Sequence, residues 1–201
     1  MLTFKNYNIA DWISFSRIAM APVLLTLMWF DQRELFTWLL LFTYCTDMAD
    51  GFIARRLKIT SPRGSQLDSF GDQVNFTVAV LGLVVFEYNF IRDNIFLILL
   101  VFVPYLIQMF IAFWKYGKAT AFHTYMAKLS AIVQGVFILW LLFFGPLYWL
   151  FYTMIILGLL ETIEEIILIF MYDNWVSGVK GIYWALRDKR RLKKANQTNE
   201  S

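Results

Sequence analysis

Of 201 residues, 59% are apolar, 19% aromatic and only 16% charged, and 18 Lys and Arg against 15 Asp and Glu leave a net charge of +3. So few charges and so many long apolar runs exclude an ordinary water-soluble domain. The basic residues gather in particular loops rather than in an aromatic-interleaved patch, which excludes nucleic acid as a partner.

A helix rising 1.5 Å per residue needs about 20 apolar residues to cross a bilayer. Residues 1–7 are short and mixed, and the apolar stretch after them continues for a full span without a small-residue cleavage pattern. It therefore reads as a first span over about 9–30 rather than a cleavable signal. Five more stretches qualify, at about 35–55, 68–90, 94–114, 123–144 and 147–171. Short polar separators divide them at 31–34, 55–66, 92–94, 115–118 and the Gly145-Pro146 pair. After Tyr172 the order of aromatic and basic residues predicts an interfacial amphipathic helix over 173–191 lying on an anionic leaflet, then a polar tail over 192–201. The expected fold is an all-α integral membrane protein of six transmembrane helices in one domain, 1–172, with short interfacial segments at both termini.

The basic residues also orient the spans. With the N-terminus inside, the cytoplasmic segments hold Lys5; Arg55, Arg56, Lys58 and Arg63; Lys115, Lys118 and Lys128; and Lys180, Arg187, Lys189, Arg190, Arg191, Lys193 and Lys194. The opposite side has only Arg33 and Arg92. This asymmetry places both termini in the cytoplasm.

The lone cysteine, Cys45, excludes an intramolecular disulfide and is expected to pack within an apolar helix. Near it, four carboxylates stand out in the run DMADGFIARRLKITSPRGSQLDSFGD. Asp47 and Asp50 are three apart, and Asp68 and Asp72 are four apart, so each pair occupies one face of its helix. Both pairs fall toward the cytoplasmic ends of adjacent antiparallel spans. A carboxylate at membrane depth costs about 2.5 to 3.5 kcal/mol, and four in one volume repel strongly. Two divalent cations would offset that charge, and oxygen-only ligands suit Mg2+ or Mn2+ rather than zinc. Solvated helix ends are the alternative reading of such acids. Gly51 lets a ligand approach the backbone, Ala54 keeps the next turn small, Arg55 offers a fork suited to phosphate oxygens, and Gly64 opens the return into the third span. Taken singly, each of these is as readily a turn or packing residue.

Asp47-x2-Asp50-Gly51-x2-Ala54-Arg55-x8-Gly64-x3-Asp68-x3-Asp72 resembles the complete signature of the CDP-alcohol phosphotransferases. The resemblance implies a catalytic domain over 1–172, two metals served by Asp47, Asp50, Asp68 and Asp72, and a nucleotide-diphosphate site shaped by Gly51, Ala54, Arg55 and Gly64. It further implies Asp72 as general base, CDP-diacylglycerol as donor, CMP as leaving group, membrane lipids as surroundings, a homodimer, and a cytoplasm-facing site in a bacterial inner membrane. No P-loop is present or needed.

Three features bear on the acceptor alcohol. The opening NIADWISFSR at 8–17, followed by Pro22, resembles phosphatidylglycerophosphate and cardiolipin synthases and some phosphatidylserine synthases. Arg17 there is expected to hold an acidic group, or else to snorkel. Lys128 and Gln134 are spaced like a fifth-span pattern of glycerophosphate-type enzymes, although Ala127 and Ser130-Ala131 depart from it; Lys115, Lys118 and Lys128 could receive an acceptor phosphate, while Lys115 and Lys118 equally suit topological anchoring. The run LDSFGDQVNF at 67–76 is instead similar to phosphatidylserine synthases. The expected acceptor is therefore glycerol 3-phosphate or serine, with inositol phosphate or phosphatidylglycerol as alternatives. Glu161, Glu164 and Glu165 share one face of the sixth span and could counter Arg17 or Lys128, attract an ammonium group, or be protonated. His123 reads as interfacial. A divalent-cation transporter is the reading from another class, and it leaves Gly51, Arg55 and Gly64 without a role.

Overall fold

The computed structural model describes the backbone over 9–57 and 62–188, and side chains at 16, 18–47, 71 and 73–188. Seven helices are present among the described residues: α1 (Ile9–Trp29), α2 (Arg33–Leu57), α3 (Pro62–Phe86), α4 (Tyr88–Asp93), α5 (Ile95–Tyr116), α6 (Tyr125–Phe144) and α7 (Tyr148–Met171). No strand is found among them, apart from one isolated bridge between Ala121 and Ser177. Six of the helices coincide with the six expected apolar stretches. The third begins at Pro62 rather than 68, since proline suits a first helical turn, where its missing N–H would be unpaired in any case. Asp68 and Asp72 thus lie inside α3 rather than at its end.

By length and apolarity, α5 and α6 alone among the described residues meet the requirement for crossing a bilayer. Only 11% of the most apolar stretch of α5 and 28% of that of α6 is buried, whereas the core helix of a soluble protein would be mostly covered. α7 is as long, but it carries the three glutamates.

The chain divides into two units. The first holds 1–93 and 138–146. Within it α1 packs on both α2 and α3, and α2 meets α3. At the start of α2, Phe36 is fully buried, and its ring lies against Gly82 and 5.2 Å from the ring of Phe86, both near the end of α3. Phe36 therefore meets the far end of α3, and four residues join the other ends, so the two helices are antiparallel. Arg33 ties the same end together. It donates to Glu87 and, from Nε and Nη2, to the carbonyl of Leu142 at 3.2 and 2.9 Å, capping the last turn of α6. Arg33 is one of the two basic residues expected on the outer side, and this contact gives it a structural use whichever side it faces.

The second unit holds 94–137 and 147–201, with α5 packed on α7. Thr124 caps α6 by accepting the Ala127 N–H at 3.1 Å. Beyond α7 the chain departs from the expected helix over 173–191. Of the described residues 173–188, only 182–188 are helical, and Gly178 and Gly181 before them have positive φ values of 73° and 151°. The preceding residues form a strap over the loop before α6. The Trp175 indole donates to the Ala119 carbonyl at 3.0 Å, the Gly178 N–H to that of Ala121 at 3.2 Å, and the Tyr125 N–H to that of Lys180 at 3.2 Å. Val179 and Ala185 are buried with Ala112, Phe122, Leu168 and Ile169. The tail over 192–201 lies outside the described residues.

A Cβ built on Gly82 would come within 2.3 Å of the Phe36 ring, which is enclosed and has no room to retreat. Gly82→Ala is expected to cost about 1 to 3 kcal/mol, read as a lower thermal midpoint of the purified protein in detergent micelles. An unchanged midpoint would mean that this contact does not set the α2–α3 approach.

Candidate active site

Most buried positions of α2 form one stripe, and most of those of α3 another; Thr37 and Leu83, also buried, lie about 100° off these stripes. On α2, Phe36, Leu40 and Thr43 are buried, and at 3.6 residues per turn Asp47, Asp50 and Ala54 all fall within about 40° of Phe36. The Asp47 side chain is half-buried, as that phase requires. On α3, Gly71, Asn75, Val78, Ala79, Gly82 and Leu83 are buried, all but Leu83 within about 60° of Gly82. Gly64 and Asp68 share this stripe within about 40° of Gly82, and Asp72 flanks it at about 80°. The stripes that bury the apolar half of each helix thus continue into its carboxylate pair.

The levels also agree. Counted residue for residue along the antiparallel pair from Phe36 and Gly82, Thr43 falls level with Asn75, Asp47 with Gly71, one residue from Asp72, and Asp50 with Asp68. The backbones therefore carry all four aspartates over two adjoining turns on each helix. The side chains of Arg17, Asp50, Gly51, Ala54, Arg55, Gly64, Asp68 and Asp72 lie outside the described residues, while their backbones are helical in α1, α2 and α3. Arg17, counted back from the turn joining α1 to α2, falls about level with Cys45. Cys45 itself is exposed, so it lies off the buried stripe rather than packing in it as expected.

A hard divalent cation fits the chemistry of this donor set, four carboxylates with no sulfur or imidazole beside them in the stripe. Among the described residues no group of three or more His, Cys, Asp or Glu could hold a metal, and the side chains of Asp50, Asp68 and Asp72 lie outside them. A family model described as CDP-alcohol phosphatidyltransferase matches residues 7–171, which takes in both stripes and all of α1 to α7. The chain belongs to the CDP-alcohol phosphatidyltransferase family. It is accordingly a transferase of phosphate-containing groups and, with α5 and α6 apolar and outward-facing, an integral membrane protein. No curated protein and no solved structure gives a match.

The second unit holds polar groups that this family assignment does not by itself explain. Glu165 accepts from Gln108 Nε2 at 2.7 Å and from the Thr120 hydroxyl at 2.6 Å, and Gln108 also reaches Thr120 at 3.2 Å. Ser130, fully buried on α6, accepts from Gln134 Nε2 at 3.0 Å. Glu164 Oε1 accepts the Ile182 N–H at 3.3 Å, and its Oε2 is buried with no hydrogen-bond partner among the described residues. These partners are neutral donors; Lys128, weighed from sequence, is not among them, and the Arg17 side chain lies outside the described residues. Gln108 is 2% exposed within a helix of mean hydropathy 2.6, and a lone amide in so apolar a run was the available signal for this network.

The three lysines each have a local partner. Lys115 donates to the Ile169 carbonyl at 2.7 Å in the last turn of α7 and approaches Asp173 at 4.0 Å. Lys118 sits 3.7 Å from the centroid of the Trp175 ring, and Lys128 sits 5.8 Å from that of Tyr125. Beside Lys115, Tyr116 donates to the Ile169 and Tyr172 carbonyls at 3.0 and 2.6 Å. Burial, with the negative charge of Asp188, raises the Tyr172 hydroxyl above its ordinary value and keeps it neutral. His123, at φ 55°, is exposed in the turn before α6.

Because Lys115 caps α7, Lys115→Ala is expected to cost about 1 kcal/mol of stability, again as a lower thermal midpoint, with both substrate KM values unchanged. A raised acceptor KM at an unchanged midpoint would instead make Lys115 an acceptor ligand.

Proposed function

We propose that this protein transfers the phosphatidyl group of CDP-diacylglycerol to a small alcohol, glycerol 3-phosphate or serine, with release of CMP. The observation that supports it most directly is the shared level of the two carboxylate pairs on buried stripes of α2 and α3, within a chain of this family. Asp47, Asp50, Asp68 and Asp72 would hold two Mg2+ or Mn2+ ions, which supply positive charge beside the diphosphate when bound. Gly51 and Gly64 leave space for the nucleotide, Ala54 keeps the turn between them small, and Arg55 meets phosphate oxygens through its guanidinium.

Asp72 takes the proton of the acceptor hydroxyl as its oxygen bonds to the lipid-bearing phosphorus. The bond from that phosphorus to the CMP oxygen breaks, and its electron pair leaves with CMP. A site within a bilayer suits this donor, whose acyl chains stay in lipid while the cytidine faces the cytoplasm. Arg17, about level with Cys45, and Lys128, with Lys118 nearby in sequence, are the cations proposed to receive a charged acceptor. We further propose six spans with both termini in the cytoplasm of a bacterial inner membrane, a single catalytic domain over 1–172, a surface-lying segment over 173–191, and a homodimer formed through the membrane helices.

Purified protein given CDP-diacylglycerol, Mg2+ or Mn2+, and glycerol 3-phosphate, serine, inositol phosphate, inositol or phosphatidylglycerol in turn should release CMP with one of the first two. CMP from none of them, with a positive control working, would reject the substrate class. EDTA should abolish turnover, and added Mn2+ should restore it. Asp72→Asn should lower kcat by at least a hundredfold while the thermal midpoint stays near wild type; near-normal CMP release would remove Asp72 as the base. Lys128→Ala should raise the KM of a phosphorylated acceptor far more than that of CDP-diacylglycerol, and equal changes would exclude it from the acceptor site.

A further inference from the structure

Asn75 is 3% exposed, and its Oδ1 is buried with no hydrogen-bond partner among the described residues. An unpaired amide oxygen in the interior of a membrane protein costs about 1 to 3 kcal/mol, and an apolar residue of similar size would avoid that cost. Thr43, the residue level with it on α2, does not relieve it: the Thr43 hydroxyl donates to the Leu40 carbonyl of its own helix at 2.8 Å. Its neighbours in the α3 stripe, Gly71, Val78, Ala79 and Gly82, offer no side-chain donor.

The place of Asn75 in the register gives the unused oxygen a purpose. It follows Asp68 by seven residues and Asp72 by three, so it falls within about 20° of Asp68 on the helix wheel and one turn, about 4.5 Å, further into the membrane than Asp72. A ligand that reaches this oxygen must bring an O–H or N–H. The diacylglycerol part of the donor carries only ester oxygens and apolar chains, and so cannot supply one. A small alcohol whose attacking hydroxyl lies at Asp72 carries its next polar group, a second hydroxyl or an ammonium, on the adjacent carbon, so that hydrogen bonds from the two groups can reach side chains one helical turn apart.

We propose that Asn75 is an acceptor-binding residue, whose Oδ1 takes a hydrogen bond from the second polar group of the acceptor alcohol at the floor of the carboxylate site. This rests on the phosphatidyl-transfer reading above. It also accounts for an amide at a stripe position that is otherwise small or aliphatic: the energetic cost in the empty protein is recovered when the acceptor binds, and an alcohol lacking the second donor is discriminated against.

The test compares wild type, Asn75→Leu and Asn75→Ala with CDP-diacylglycerol and, in separate arms, glycerol 3-phosphate and serine. For whichever acceptor wild type uses, both variants should show an acceptor KM at least tenfold higher with the CDP-diacylglycerol KM within twofold of wild type. Asn75→Leu should also have a thermal midpoint equal to or above that of wild type, since it removes an unpaired buried amide. A structural role would lower the midpoint of both variants and leave the acceptor KM alone, which would overturn the proposal. So would a rise confined to the donor KM. If Asn75→Leu does not fold, the KM comparison in Asn75→Ala decides. Wild type releasing no CMP with either acceptor would reject the transfer reading and this inference with it, whereas normal wild-type turnover with unaltered variant KM values would reject this inference alone.

Discussion

The approach of Phe36 to Gly82 sets the geometry on which the proposed carboxylate site depends. With no side chain at Gly82, the ring enters the space beside the α3 backbone and fixes both the separation and the level of α2 and α3 at the end away from the site. Everything toward the other end then follows from helix periodicity. The stripe Phe36, Leu40, Thr43 continues into Asp47 and Asp50, and the stripe Gly82, Asn75, Gly71 into Asp68, with Asp72 beside it. A slip of one residue would turn a whole carboxylate pair by about 100° from its partner. The Arg33 fork, reaching Glu87 and the end of α6, anchors the same end.

The second unit uses a different chemistry. Glu165 is met by an amide and a hydroxyl and Glu164 by a backbone N–H, all neutral donors among the described residues. The strap beyond α7 supplies one of these, the Ile182 N–H. It also covers an apolar cluster of Ala112, Phe122, Leu168 and Ile169 that α5 and α7 leave open.

The helices were legible because apolar runs and short polar breaks are local properties, and all six long ones lie where the runs predict. The family was legible because glycine, alanine, arginine and aspartate recur at fixed spacing around one turn, and spacing survives translation into a helix. Tertiary consequences were not. Nothing local marks Gly82 as the seat of Phe36, or Arg33 as a cap for a helix more than a hundred residues away. The segment after Tyr172 has helical composition, yet Gly178 and Gly181 and the hydrogen bonds to 119–121 hold its first half extended. Cys45 was expected to pack, but it lies between buried Thr43 and half-buried Asp47, on the open side of α2. Lys115 illustrates the same limit, since a basic residue near a predicted membrane boundary serves orientation, ligand binding and capping alike until its partner is known.

The central claim is that the buried stripes of α2 and α3 carry four aspartates into one divalent-metal site. Anomalous diffraction from crystals of the protein grown with Mn2+ tests it most directly. The account predicts manganese peaks between α2 and α3, within about 2.3 Å of carboxylate oxygens from both Asp47/Asp50 and Asp68/Asp72. Manganese bound elsewhere, or the two pairs directed to opposite sides of their helices, would contradict it.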